Sequence, residues 1–160
     1  MQRFEQIYAE HHDAVRAYVR RRAPEAVVDD VVADTFVVCL QKIDRVPAQP
    51  LPWLYAVARK TLANERRKRA RVAHGHDVPV AEPAPVGDGA LAAAFNALSE
   101  RDREVLRLVA WEGLSLSDAA TVLGCSAVTC RVRYHRAKSR LASSLAAAAS
   151  FHPEPKGVTR

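Results

Sequence analysis

The residues of this chain best placed to do chemistry are its cations. Between 126 and 141 stand Arg131, Arg133, Arg136, Lys138 and Arg140 with no acid among them. Between 53 and 71 stand Arg59, Lys60, Arg66, Arg67, Lys68, Arg69 and Arg71 against a single acid, Glu65. A solvated helix face ordinarily mixes its signs, so two one-sign runs in a chain of formal net charge +6 imply a polyanionic partner. Guanidinium and ammonium groups hold phosphates, and an arginine can also bond a guanine edge bidentately. Trp53 and Tyr55 accompany the first run beside the Pro-rich stretch 44–52. Cations with aromatics next to a loop suit unstacked bases better than a duplex groove, although Trp53 beside Leu54 and Val57 is read first as a core residue.

Other chemistries lack their parts. The histidines at 11, 12, 74, 76, 135 and 152 are scattered, and His74-x-His76 supplies two ligands where a tetrahedral metal site needs four. Cys39, Cys125 and Cys130 are odd in number, form no Cys-x-x-Cys, and fall where helical patterns want apolar residues, so they are expected to pack. There is no Gly-rich phosphate loop and no Ser or Cys nucleophile beside an identifiable base. No metal, no other cofactor and no enzymatic activity are therefore expected.

These cations must be positioned by a small scaffold. A chain of 160 residues holds one ordinary domain or two very small ones, and 49% hydrophobic with 26% charged residues is globular composition. The amino terminus lacks a basic segment followed by an apolar core, and no run of about 18 apolar residues occurs. A soluble, cytoplasmic protein without membrane insertion is expected.

Apolar spacings of three and four predict helices over 4–22 and 25–43. The second carries the stripe Val28, Val31, Val32, Thr35, Phe36, Cys39, Leu40 and Ile43, too β-branched to be held by propensity alone. Pro47, Pro50 and Pro52 predict a loop over 44–52, and the stretch 53–71, free of Gly and Pro, a third helix. Residues 72–89 hold three prolines, three glycines and only acidic charges, the composition of a semi-extended linker. Beyond it, 91–98 reads as helical, and Ser99-x-x-Asp102 as the capping start of a helix over 100–111 that Gly113 stops. The fold class expected is all-α: two small helical domains, 1–71 and 92–146, joined by a linker over 72–91 and followed by a frayed tail over 147–160.

The second basic run sits in a helix-turn-helix pattern. A short helix over 115–123 containing Ala119 and Ala120 is followed by Gly124-Cys125 and a long basic helix with Ser126 as its N-cap. On a 100° wheel Cys130, Tyr134, Ala137 and Leu141 share one arc and face the core. The amino-terminal half of such a helix enters the major groove, so Thr129, Val132, Arg133 and Arg136 are candidates for base edges, while Arg131, Lys138 and Arg140 are candidates for phosphates.

Several motifs in order then resemble one family. Phe4-Glu5-x-x-Tyr8, the run from Val28 to Phe36, and Trp53-Leu54-Tyr55-x-Val57-Ala58-Arg59 are similar to the promoter-melting domain of bacterial sigma factors. The run from Leu98 to Leu106, Glu112-Gly113-Leu114-Ser115 and the helix from Ser126 to Leu141 are similar to their second conserved domain. With only these two domains the chain resembles the extracytoplasmic-function group of the sigma-70 family, over about 1–70 and 92–146.

The resemblance implies a sigma factor that binds core RNA polymerase and directs promoter-specific initiation. Asp30, Asp34 and Gln41 would face the β′ clamp, and the carboxy-terminal domain would read the minus-thirty-five element through Ser126, Thr129, Arg131, Val132, Arg133, His135, Arg136 and Lys138. The loop 44–52 with Arg59, Lys60, Asn64 and Arg67 would capture flipped bases of the minus-ten element, offsetting an unstacking cost of a few kcal/mol. The implied partners are core polymerase, through β′ clamp and β flap, promoter DNA and an anti-sigma factor, with the acidic linker threading a basic channel of the polymerase. Ala33, Lys60, Val128 and Cys130 depart from the residues common at these positions. The competing readings are a stand-alone helix-turn-helix regulator, which leaves the first basic helix unexplained, and a partner-binding decoy of the same fold.

Overall fold

The computed structural model describes residues 1–73 and 89–150. Most of the linker, with His74 and His76, and the tail from 151 lie outside the described residues. Among the described residues the regular elements are helices: α1 Gln2–Arg20, α2 Val28–Gln41, α3 Pro50–Ala73, α4 Ala90–Asn96, α5 Glu100–Ala110, α6 Leu116–Leu123 and α7 Ala127–Ser150. The all-α expectation holds. None of these helices is long and apolar enough to cross a membrane.

The first three helices pack on one another around Val15, Tyr18, Val19, Val28, Val31, Leu54 and Ala58, all buried. Inside α2, Thr35 returns its hydroxyl to the Val31 carbonyl at 2.7 Å, which lets a polar residue sit in that core. Two expectations need correction. Leu40, placed in the buried stripe of α2, is exposed together with Val37, because the helix buries a narrower arc than its apolar residues fill. The predicted loop over 44–52 also ends early: α3 starts at Pro50, and Pro50 and Pro52 occupy its first turn, where no intrahelical donor is lost.

Helices α4 to α7 make the second group, with α7 against α4, α5 and α6. Ser99 caps α5 by accepting from the Asp102 amide at 3.2 Å. The Asp102 carboxylate does not close the reciprocal half of a capping box, because Arg140 of α7 holds it at 2.5 Å. Gly113 lies at φ +66°, a left-handed conformation that ends the segment after α5. The basic helix runs to Ser150, beyond the carboxy-terminal boundary expected near 146.

The two groups do not stand apart. Helix α3 packs on α6, and the end of α1 meets α5 through side chains with no counterpart in the local sequence patterns.

Candidate nucleic-acid interface

The helix-turn-helix is built from three local devices. Ser115 caps α6, accepting from the Asp118 amide at 3.0 Å and donating to its carboxylate at 2.7 Å. Gly124 takes φ +66° and ψ +37°, and the Cys125 amide returns to the Ala120 carbonyl at 3.1 Å, which turns the chain sharply without a Cβ in the strained position. Ser126 then caps α7, accepting from the Thr129 amide at 3.1 Å and hydrogen-bonding its hydroxyl at 2.9 Å. Ala119 and Ala120 are buried, as are Cys130 and Ala137 on the inner arc of α7. Burial raises the Cys130 thiol above its ordinary value, with the neighbouring Cys125 adding to the shift.

The outer arc of α7 faces solvent. Thr129, Val132, Arg133 and Arg136 line one depression of about 350 Å³, together with Val128, Asp102 and Arg140. Val128, 71% exposed, and Val132 put apolar surface among these cations. Arg131, His135 and Lys138 are exposed outside the depression. Ser126 and Thr129 spend hydroxyl contacts on the cap, and Arg140, its side chain 61% exposed, pairs through one nitrogen with Asp102, which ties α7 to the start of α5.

On α3, Arg59, Lys60, Asn64 and Arg67 lie along one side, all of them exposed, and Asn64 accepts from the Arg67 guanidinium at 2.8 Å. Arg59, Lys60 and Arg67 line a cleft of about 610 Å³ that Arg101 and Arg133 of the second group also enter. Tyr55 is not available to stack on bases, because it is buried with its ring 4.6 Å from that of Tyr18. Trp53 is partly buried against the core. The start of the loop is tied down: Val46 is buried, and the Arg3 guanidinium donates to the Ile43 carbonyl at 2.9 Å and to that of Val46.

On α2, Asp30, Asp34 and Gln41 are exposed, and the surface between them carries Val37, 50% exposed, and Leu40. This mixed acidic and apolar face escaped the wheel, which counted Leu40 as core. Beside it Phe4, Tyr8, His12 and Phe36 form a ring cluster, with Tyr8 and Phe36 centroids 4.8 Å apart. Among the described residues no group of three or more His, Cys, Asp or Glu is arranged to hold a metal ion.

The most elaborate polar cluster was invisible in sequence. Arg22, 4% exposed, donates from Nε to both Glu104 oxygens at 3.0 Å and from Nη1 to Glu112 at 2.8 Å. Its guanidinium lies 3.7 Å from the Tyr18 ring centre, and the Tyr18 hydroxyl donates to Glu104 at 3.1 Å. Arg21 forks onto Glu112, and Arg66 reaches Glu100 at 3.4 Å and the Arg22 carbonyl at 3.0 Å. Burial alone would lower the Arg22 guanidinium, but Glu104, Tyr18 and Glu112 outweigh it and hold the charge in place.

Comparison with known proteins fits this architecture. The family model for Sigma-70 region 2 matches residues 7–72, and that for Sigma-70 region 4 matches residues 88–141. The ECF RNA polymerase sigma factor EcfG of Rhodopseudomonas palustris is 34% identical over 127 residues, 73% of this chain and 70% of the relative. The RNA polymerase sigma factor CnrH of Cupriavidus metallidurans is 32% identical over 164 residues, 89% and 86% of the two chains. Among solved structures, the sigma factor RpoE in complex with the anti-sigma factor NepR, from Bartonella quintana, superposes with a TM-score of 0.71 at 27% identity, covering 91% of this chain and 98% of that one. CnrH in complex with the cytosolic domain of CnrY gives 0.63 at 31%, covering 92% and 90%. The chain belongs to the sigma-70 family and within it to the extracytoplasmic-function sigma factors, proteins of transcription initiation rather than a class of enzymes.

Proposed function

We propose that this sigma factor binds core RNA polymerase through α2 and reads a two-part promoter through α3 and α7. The observation that carries the reading is the outer arc of α7, where Thr129, Val132, Arg133 and Arg136 line one exposed depression on a helix without acids. Arginines there suit guanine edges, and exposed Val128 and Val132 suit thymine methyl groups. Arg131 and Lys138 flank this arc in reach of phosphates, with His135 at its edge and Ser126 fixing the entry of the helix.

On the first group, residues 1–71, Arg59, Lys60, Asn64 and Arg67 supply a cationic face to the displaced minus-ten strand. The β′ clamp fits the face of Asp30, Asp34 and Gln41, where Val37 and Leu40 offer apolar surface to bury and the carboxylates set register. Residues 92–146 act as the duplex-reading unit and contact the β flap. An anti-sigma factor is a further partner, supported by the relatives whose structures contain NepR or CnrY.

Runoff transcription tests this reading: purified bacterial core polymerase, with and without the protein, on a pool of upstream fragments, with transcript starts mapped. New starts sharing two spaced elements are expected. If no transcript depends on the protein while it shifts duplex DNA unaided, the stand-alone regulator replaces the sigma reading. If it binds polymerase and starts nothing, the decoy does.

A further inference from the structure

We propose that Cys125 and Cys130 form a peroxide-responsive thiol pair whose oxidation to a disulfide disables the DNA-reading end of α7. The pairing follows from helix capping. With Ser126 as the N-cap of α7, Cys125 is the residue before the cap and Cys130 the fourth residue of the helix. Side chains at these two positions pack against each other across a helix start, an arrangement known as a hydrophobic staple. Any two apolar groups would serve; here both are thiols, free in this structure and within hydrogen-bonding reach of each other. The third thiol, Cys39, is fully buried in α2, in the other helical group.

The two sulfurs differ in access. Cys125 is partly exposed and lines the cleft of about 610 Å³ with Arg59, Lys60, Arg66 and Arg133, whereas Cys130 is 0% exposed. Partly exposed thiols in electropositive surroundings are the ones that peroxides oxidise, and a neighbouring thiol then resolves the product. The Cys125 sulfur attacks hydrogen peroxide, the O–O bond breaks, and the thiol becomes a sulfenic acid while one water leaves. The Cys130 sulfur next attacks the Cys125 sulfur, the S–O bond breaks, and the departing hydroxide takes the Cys130 proton as a second water. Two thiols and one peroxide give one disulfide and two waters, and a dithiol reductant restores the pair.

Unbonded heavy atoms pack about 3.5–4 Å apart, and a covalent bond draws the two sulfurs well inside that distance. Both ends resist the pull. The Cys125 amide is held by the Ala120 carbonyl at 3.1 Å, beside Gly124 in its left-handed conformation, and Cys130 is packed in the core. The displacement therefore falls on 126–130, where the Ser126 hydroxyl accepts from the Thr129 amide at 3.1 Å and the Cys130 amide donates to the Ser126 carbonyl at 2.9 Å. Thr129, Val132 and Arg133 stand on this turn or the next, so their base contacts lose alignment. That consequence rests on the assignment of α7 to the minus-thirty-five element; the pairing itself does not.

Mass spectrometry reads the pairing on the full chain. Trypsin leaves both thiols in one peptide, 108–131, because no Lys or Arg stands between Arg107 and Arg131. After brief exposure to hydrogen peroxide and alkylation in denaturant, that peptide should be lighter by two hydrogens and carry no alkyl group, and dithiothreitol should reverse the change. Sulfinic acid at Cys125 with Cys130 alkylated, or cross-linked dimers in place of the internal bond, overturns the proposal. Hydrogen exchange should show amides 130–133 losing protection in the oxidised chain, and unchanged protection overturns the switch. Holoenzyme made with the oxidised chain should bind a promoter duplex recovered by runoff transcription about tenfold more weakly, the loss of one bidentate base contact. Equal affinity also overturns it. The variant C125S should bind as the reduced wild type does and ignore peroxide, whereas a peroxide response kept by C125S removes the pair from the explanation. If no promoter is recovered, the sigma reading falls while peptide mass and hydrogen exchange still rule on the pair.

Discussion

Arg22 sits where a truncation leaves the buried Glu104 with only the Tyr18 hydroxyl and takes from Glu112 one of its two guanidinium partners. Arg22→Ala should therefore destabilise the protein by about 3–5 kcal/mol, against less than about 1 kcal/mol for Arg66→Ala, whose pair is half-exposed; urea unfolding of both variants checks the contrast. Two phenols report the same neighbourhood. Burial, then the Glu104 charge, push Tyr18 above its ordinary value, and burial, then Glu112, push Tyr55 up to about 12. Both folded values are raised, so the stability linked to the protonated phenols is complete below about pH 10 and lost as pH rises through the folded values. Ultraviolet titration should show two tyrosines ionising late, and Tyr18→Phe and Tyr55→Phe should each remove one late step. The cationic runs were legible because each is local. The pairing of Arg22 with Glu104 joins residues 82 apart and leaves no mark in any spacing.

The helices were legible where period and caps agree. Ser99 and Ser126 are caps in sequence and in structure, Ser115, counted into the short helix, is its N-cap, and Gly124 is the turn that the pattern required. Boundaries failed where two signals conflict: Pro50 and Pro52 read as loop residues although a first helical turn accepts proline. Leu40 failed because an apolar residue on a helix is read as core when it can equally serve a docking face. Ser126→Ala should cost about 1 kcal/mol through loss of the cap. Gly124→Ala meets open space, so its cost of about 1–2 kcal/mol is backbone strain alone. For a chain of this size each kcal/mol appears as a melting point lowered by about 2–4 °C in calorimetry.

Across the whole molecule, charge is sorted by location, with cations on α3 and α7, carboxylates on the outer face of α2, and both signs where the groups meet. DNA binding by the holoenzyme should separate the roles of the cations. Lys138→Ala should lower affinity evenly across sequences and reduce the salt slope by about 1, whereas Arg136→Ala should cost about 1–3 kcal/mol on the preferred site and relax its sequence preference. The two-group architecture was readable from composition, since the acidic, Pro-rich stretch interrupts two helical regions. Their contact was not, because its ion pairs join side chains that each look solvated in their own helix and its packing of α3 on α6 joins segments far apart in the chain.

The ionic part of the contact, where the end of α1 meets α5, also bears on how the chain is made. Residues 1–73 leave the ribosome before α5 exists, at about 5–20 residues per second, so Tyr18, Arg21 and Arg22 spend several seconds without Glu104 and Glu112. Guanidinium groups without partners stay hydrated and repel one another between nascent chains. An oily contact of the same extent would leave a sticky patch on every half-made molecule. The first three helices can therefore fold as they emerge, and the seam that later joins them to the rest remains soluble until its acidic half arrives.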